Sequence, residues 1–273
     1  MKLSFIRYPG GKSRLAASIT HRFDWGGIDT YVEPFVGGGS VYLHLLPRLR
    51  SLGVRSVVLN DLDRGLMELW LAVLGNSHDE FVERVRSVKP SVDLWVDACD
   101  RLRSGGSDPL DKLVVHQMSF SGLGTRAGSP IGGFEQRGEY GVGCRWNPDG
   151  LAKKWRAIRS HAEGIDHRLV SVSALSLIGH RGLIYLDPPY YVHGDALYET
   201  RFRFHNEMAA QLSLTGGRWY LSYDDVPEVR SLYRHHVINE VSASYTMNSG
   251  KGKKPKHELL IESSQVSISS AQL

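Results

Sequence analysis

The sharpest chemical signature in the chain is Asp187-Pro188-Pro189-Tyr190, directly after the apolar run GLIYL at 182–186. A pair of prolines cannot continue a buried strand, because each lacks an N–H and fixes φ. The chain therefore leaves the strand as a rigid arm. Such an arm can hold the Asp187 carboxylate and the Pro188 carbonyl as converging acceptors, with the Tyr190 ring beside them. Two acceptors and a stacking ring suit one chemical object, an exocyclic amino group on a flat base. A turn that merely ends a strand would use Asp and Pro but gives no reason for Tyr190.

A second candidate is EPFVGGGS, residues 33–40, where a strand pattern runs into glycines and a helix start at Ser40. Gly37 and Gly39 let the chain turn tightly beneath a nucleoside while helix amides face its polar end. Two better-known glycine motifs fail on spacing. GxGxxG would need glycine where Tyr42 stands, and the P-loop would need one at Ile6, ahead of Gly11-Lys12-Ser13. Taken alone, the segment reads equally as a tight turn without a ligand. The third candidate, Asn60-Asp61, ends the next strand pattern 22 residues beyond Gly39. An acid at that distance accepts from ribose hydroxyls in Rossmann-like sites, although Asp61 would also serve as N-cap for a helix starting at Arg64.

The elements that must position these residues are legible from their patterns. Residues 30–36, 54–60, 168–172 and 182–186 are short apolar runs rich in Val, Ile and Tyr, as expected of strands buried on both faces. Amphipathic stretches near 40–50 and 204–214 alternate with them, which predicts a Rossmann-like open α/β sheet covered by helices, with ligands at the carboxyl ends of the strands. Residues 64–118 interrupt that alternation with four successive helices, 64–75, 78–88, 92–103 and 108–118. Residues 119–148 follow with glycines at 122, 124, 128, 132, 133, 138, 141 and 143 and with Arg126, Arg137 and Arg145. That composition predicts a long functional loop rather than helix or strand. The expected organisation is a core of 1–62 and 165–263, an inserted helical and loop unit at 63–164, and a disordered tail at 264–273.

Composition sets the outer limits. The 273 residues are 41% hydrophobic and 23% charged, which excludes disordered and fibrous classes. Two cysteines and the absence of paired Cys/His spacing predict neither a disulfide framework nor a structural zinc. The N-terminus MKLSFIRYPGGK lacks the apolar run of a signal peptide, and no stretch approaches a membrane span. A cytoplasmic protein is expected, and it is taken as a monomer. The formal charge is +4, and Lys251, Lys253, Lys254 and Lys256 stand together within 244–257 without an acid. A local basic patch of this kind suits a polyanion.

The separated motifs RYPGGK (7–12), EPFVGGGSV (33–41), LND (59–61), LDPPY (186–190) and FHNEMAAQL (204–212), in this order, resemble the Dam-like DNA adenine-N6 methyltransferases. YLSYDDVPEVRSLY (220–233) and HELLI (257–261) also have counterparts there. The resemblance implies a class I methyltransferase core with an inserted target-recognition unit, S-adenosylmethionine as methyl donor, no metal, and double-stranded DNA as partner. It places cofactor contacts on Tyr8, Lys12, Phe35, Gly37, Gly39, Asp61 and Asp187, and the reactive adenine in a pocket of Asp187, Pro188 and Tyr190. DNA contacts would come from Arg126, Arg137 and Arg145 as base readers and from the four lysines on phosphates. A role in restriction-modification is one of those the family fills. An RNA or other amino-group methyltransferase, and a catalytically silent DNA-binding relative, are the alternatives; the intact DPPY speaks against silence. Two departures stand out. The loop region reads SFSGLGTRAGSPIGGFEQRGEYGVGCRWNP where GATC-methylating relatives carry an Asn- and Arg-containing stretch, so the target sequence does not carry over. Ser222-Tyr223-Asp224 replaces the Ser-Asn of many relatives.

Overall fold

A computed structural model describes residues 3–191, 203–242 and 257–264. Five parallel strands come first in space: β1 (Thr30–Glu33), β2 (Ser56–Asn60), β3 (Asp166–Val170), β4 (Leu183–Leu186) and β5 (Arg218–Asp224). β6 (Val237–Ser242) and β7 (His257–Glu262) complete a seven-stranded sheet of order β3-β2-β1-β4-β5-β7-β6, with β7 antiparallel to both its neighbours. This is the open, mixed, helix-covered α/β sheet expected from the sequence.

The sheet sorts its side chains by the two-residue period of a strand. In β1, Tyr31 enters one core and Val32 the other; in β4, Leu183 and Tyr185 face the first, Ile184 and Leu186 the second. Both faces are therefore buried, which is why the strand segments read as continuous apolar runs. One face is covered by α1 (Ala16–Thr20), α2 (Ser40–Leu45), α3 (Arg64–Leu74) and α7 (Pro148–Ala162). The other is covered by α8 (His205–Leu214) and α9 (Pro227–Leu232).

Between β2 and β3 run α3, α4 (His78–Ser87), α5 (Val92–Arg103), α6 (Pro109–Met118) and α7. The starts of α3, α5, α6 and α7 are set by local chemistry. Asp63 accepts from Leu66 N, Ser91 from Leu94 N, Asp108 from Leu110 N and Asn147 from Gly150 N, at 2.7–3.0 Å. The helices do not pack as one block. α3, α4 and α7 contribute Trp70, Phe81 and Trp155 to the core beneath the sheet, whereas α5, α6 and the glycine-rich loop enclose a separate core around Trp95, Cys99, Val114 and Met118. The loop itself holds two single 3-10 turns and an isolated bridge between Ser119 and Pro130.

Candidate active site

The sheet order reverses at β1. The chain moves from β1 to β2 and later β3 on one side, then returns to place β4 on the other. Ligands on open α/β sheets bind at the carboxyl ends of strands at such a switch point. Here the two segments leaving that crevice are Glu33-Pro34-Phe35 with its glycines and Asp187-Pro188-Pro189-Tyr190, so topology joins the two strongest sequence signals.

At its centre stands Lys12, buried at 2% exposure and surrounded by anions and a ring. Its Nζ lies 2.9 Å from Asp187 Oδ1, approached off the hydrogen-bonding direction, and 3.5 Å from Glu258 Oε2. It donates to the Tyr190 hydroxyl at 3.0 Å and sits 4.7 Å from the centre of that ring, while the hydroxyl donates to Glu258 Oε1 at 2.6 Å. Burial alone would lower the Lys12 pKa, but Asp187 and Glu258 raise it well above its ordinary value, so the ammonium is permanent. Burial lifts Asp187 to about 6, with Lys12 opposing and Glu258 reinforcing the shift.

Glu258 reaches this site because β7 runs antiparallel: its first residues pair with the last of β5, Glu258 opposite Asp224. Asp224 in turn accepts from Tyr191 N at 3.0 Å and ties down the far end of the Pro-Pro arm. The neighbouring Ser222 hydroxyl bonds the Tyr185 hydroxyl at 2.8 Å, and the Tyr223 hydroxyl meets His205 Nδ1. Asp224 thus braces the arm itself, while Ser222 ties β5 to β4 and Tyr223 ties it to α8. Glu33 lies on the opposite wall, fully buried, accepting from the Tyr31 hydroxyl at 2.7 Å; burial raises its pKa to about 8.

The glycine loop answers to its own aromatic neighbours. Gly37 and Gly39 have φ of 48° and 65°. A Cβ on Gly37 would stand 2.9 Å from the Tyr8 ring, and one on Gly39 would stand 2.5 Å from Trp70, whose Nε1 donates to Gly37 O at 3.0 Å. Asp61 holds the same loop by accepting from Gly37 N and Asp63 N, both at 3.0 Å, while burial raises its pKa to about 6. The N-cap of α3 is Asp63, not Asp61. Tyr8, Lys12, Phe35, Gly39 and Asp187 all border one small cavity of about 30 Å³.

The structure thus brings together Tyr8, Lys12, Phe35, Gly37, Gly39, Asp61, Asp187, Pro188 and Tyr190. Arg126 lies on the second 3-10 turn, and Arg137 is exposed and pairs with Glu135 at 3.1 Å. Arg145 lies elsewhere, near Arg7 at the end of the loop. Lys251, Lys253, Lys254 and Lys256, and the tail beyond 264, fall outside the described residues. Sequence reasoning missed Glu258, Glu33 and Trp70 as site members. An acid at the head of the apolar run HELLI was the available signal for Glu258; Trp70 gave none.

The sheet and crevice define an open α/β protein with a candidate ligand site at its switch point, and comparison with known proteins adds to this. Residues 8–94 match the family described as D12 class N6 adenine-specific DNA methyltransferase. The family likeness rests on that N-terminal segment. It is 32% identical over 89 residues to the type II methyltransferase M.MjaIII of Methanocaldococcus jannaschii, a match spanning 31% of this chain and 29% of that protein. It is 22% identical to the type II methyltransferase M1.LlaDCHI of Lactococcus lactis subsp. cremoris, over 91% of this chain and 92% of the relative. Among solved structures, the rRNA methyltransferase aviRa from Streptomyces viridochromogenes aligns over 97% of this chain and 90% of its own at 14% identity, with a TM-score of 0.41. That likeness is too weak to inform the site.

Proposed function

We propose that the protein transfers the methyl group of S-adenosylmethionine to N6 of an adenine flipped out of double-stranded DNA. The observation that carries this reading is the exit of the Asp187–Tyr190 arm from β4 at the switch point, beside the Gly37–Gly39 loop. An amine acceptor pocket and a nucleoside-sized turn then share one crevice.

The chemistry of the residues fits the donor. Asp61, Asp187 and Glu33 give the crevice anionic or hydrogen-bonding walls suited to ribose hydroxyls and a sulfonium charge, and Tyr8 and Phe35 offer apolar faces. When bound, S-adenosylmethionine supplies an electrophilic methyl. The chain does the rest by positioning and electrostatics. An aromatic amine is a poor nucleophile because its lone pair is delocalised into the ring. Hydrogen bonds donated by its two N–H groups to Asp187 and the Pro188 carbonyl favour a more pyramidal nitrogen and stabilise the positive charge that develops there, until one proton is released to solvent. Lys12 holds Asp187 Oδ1, which leaves Oδ2 to meet the amine and keeps the carboxylate ionised above about pH 6 despite its burial. Stacking on Tyr190 offsets part of the few kcal/mol needed to unstack a base. Arg126, Arg137 and Arg145, with the lysines at 251–256, supply contacts to DNA.

The test is to methylate duplex DNA with labelled donor and digest the product to nucleosides. N6-methyladenine is the expected product. Methylcytosine alone, or label in RNA with none in DNA, would overturn the reading.

A further inference from the structure

Beside the N-terminal segment lies a cavity of about 260 Å³ lined by Arg7, Gln117, Arg145, Asn147 and Lys154 among others, with three cations and no carboxylate in its wall. Arg7 is fixed there, its Nη1 donating to the Gln117 carbonyl at 3.2 Å. Burial lowers its pKa and the Arg145 guanidinium lowers it further, with Cys144 opposing the shift, so two like charges are gathered at this wall. The nearby acid of α7, Asp149, is engaged by Arg86 at 3.1 Å. The first turn of α7 does not make the site, because Asn147 Oδ1 already takes the Gly150 amide at 2.8 Å. The cations themselves are what a ligand would meet.

The cavity shares Ser4 to Arg7 with a larger groove of about 610 Å³, which passes Tyr8 and reaches Ser121 at the start of the glycine-rich loop. The surface along the N-terminal segment therefore carries both the cationic cavity and a groove bordered by the proposed cofactor contact Tyr8 and by the start of the proposed recognition loop. Three cations around a space large enough for a tetrahedral anion suit a phosphodiester, and their position along this surface suits one in a polymer.

We propose that Arg7, Arg145 and Lys154 form a pocket for one backbone phosphate of the duplex, which makes Arg145 a backbone contact rather than the base reader its sequence context suggested. The proposal rests on the reading of the protein as acting on DNA. A phosphate contact positions the protein on the duplex without reading its sequence. It also tolerates lysine for arginine, whereas bidentate reading of guanine does not.

Equilibrium binding of duplexes differing at single positions, across a series of salt concentrations, tests this with Arg145→Ala, Lys154→Ala and Arg145→Lys. Thermal unfolding serves as the control for folding. Each alanine variant is expected to weaken all duplexes alike and to reduce the slope of log affinity against log salt by about one. Arg145→Lys should stay within about threefold of the wild type, with its slope unchanged. Unchanged slopes in folded alanine variants would overturn the pocket while leaving the proposed function standing. Loss of preference at one base position in both Arg145 variants would return Arg145 to base reading. A wild-type protein that binds no duplex would overturn both.

Discussion

The crevice at the ends of β1 and β4 and the glycine-rich loop at 119–148 are built on opposite principles. In the crevice the titratable groups are buried or half-buried and held: Lys12 by Asp187, Glu258 and Tyr190, Glu33 by Tyr31, Asp61 by two backbone amides. In the loop, Arg137 is 84% exposed and, among the described residues, pairs with its near neighbour Glu135. A buried charge network is costly unless complete, so its geometry is fixed and its pKa values move. An exposed arginine on a glycine-rich chain can reorient on a partner. Fixed chemistry on a rigid sheet edge and adaptable contact on a loop are the division of labour expected when one reaction must be combined with one recognised sequence.

The largest effect expected from breaking this contrast is at Asp187. Asp187→Ala removes one preorganised acceptor and should lower turnover by at least about 100- to 1,000-fold, with the fold kept. Single-turnover methylation and circular dichroism would check it. A variant retaining more than half of wild-type activity would reduce the arm to a turn.

Lys12→Met should act on stability and on pH dependence together. Removing the cation leaves two buried carboxylates facing each other, a loss of about 3–5 kcal/mol by analogy with broken buried pairs. In the wild type, activity should fall as pH drops through about 6, because Asp187 must be ionised to accept the amine. Without Lys12 the charged form is less favoured, so that limb must move to higher pH. A pH–rate profile unchanged in the variant would show that Lys12 does not act through Asp187.

On the loop side, Arg126→Ala or Arg137→Ala should cost about 1–3 kcal/mol on the preferred duplex and relax discrimination at one position, with turnover on saturating DNA little changed. Competition binding across single-position variants of the site measures this. A uniform loss over all sequences would assign the residue to phosphate instead.

The smallest effect concerns Glu33. The folded protein holds its proton up to about pH 8, whereas an unfolded chain releases it near the ordinary carboxylate value of about 4.3. Between those values the unfolded state binds fewer protons, so this residue makes stability decline as pH rises. Glu33→Gln keeps an acceptor for Tyr31 and removes the decline. Its thermal midpoint should match the wild type at pH 5 and exceed it by a few degrees at pH 8. Equal midpoints at both values would mean that Glu33 is already ionised in the fold.

What the sequence by itself determined is local. The four helices after β2 start and stop within a residue or two of where periodicity puts them, and in three of them Asp63, Ser91 or Asp108 caps the amides next to it. The Pro-Pro arm and the glycine turn were legible for the same reason. Tertiary structure alone decided what these segments meet. Lys12 precedes Asp187 by 175 residues and Glu258 follows it by 71, and only the switch point and the antiparallel insertion of β7 bring the three together. Trp70 became the reason for a glycine at 39 only when α3 packed under the sheet. The raised pKa values of Asp187 and Glu33 likewise belong to burial, which no local pattern carries, because desolvation depends on every chain segment that closes over the site.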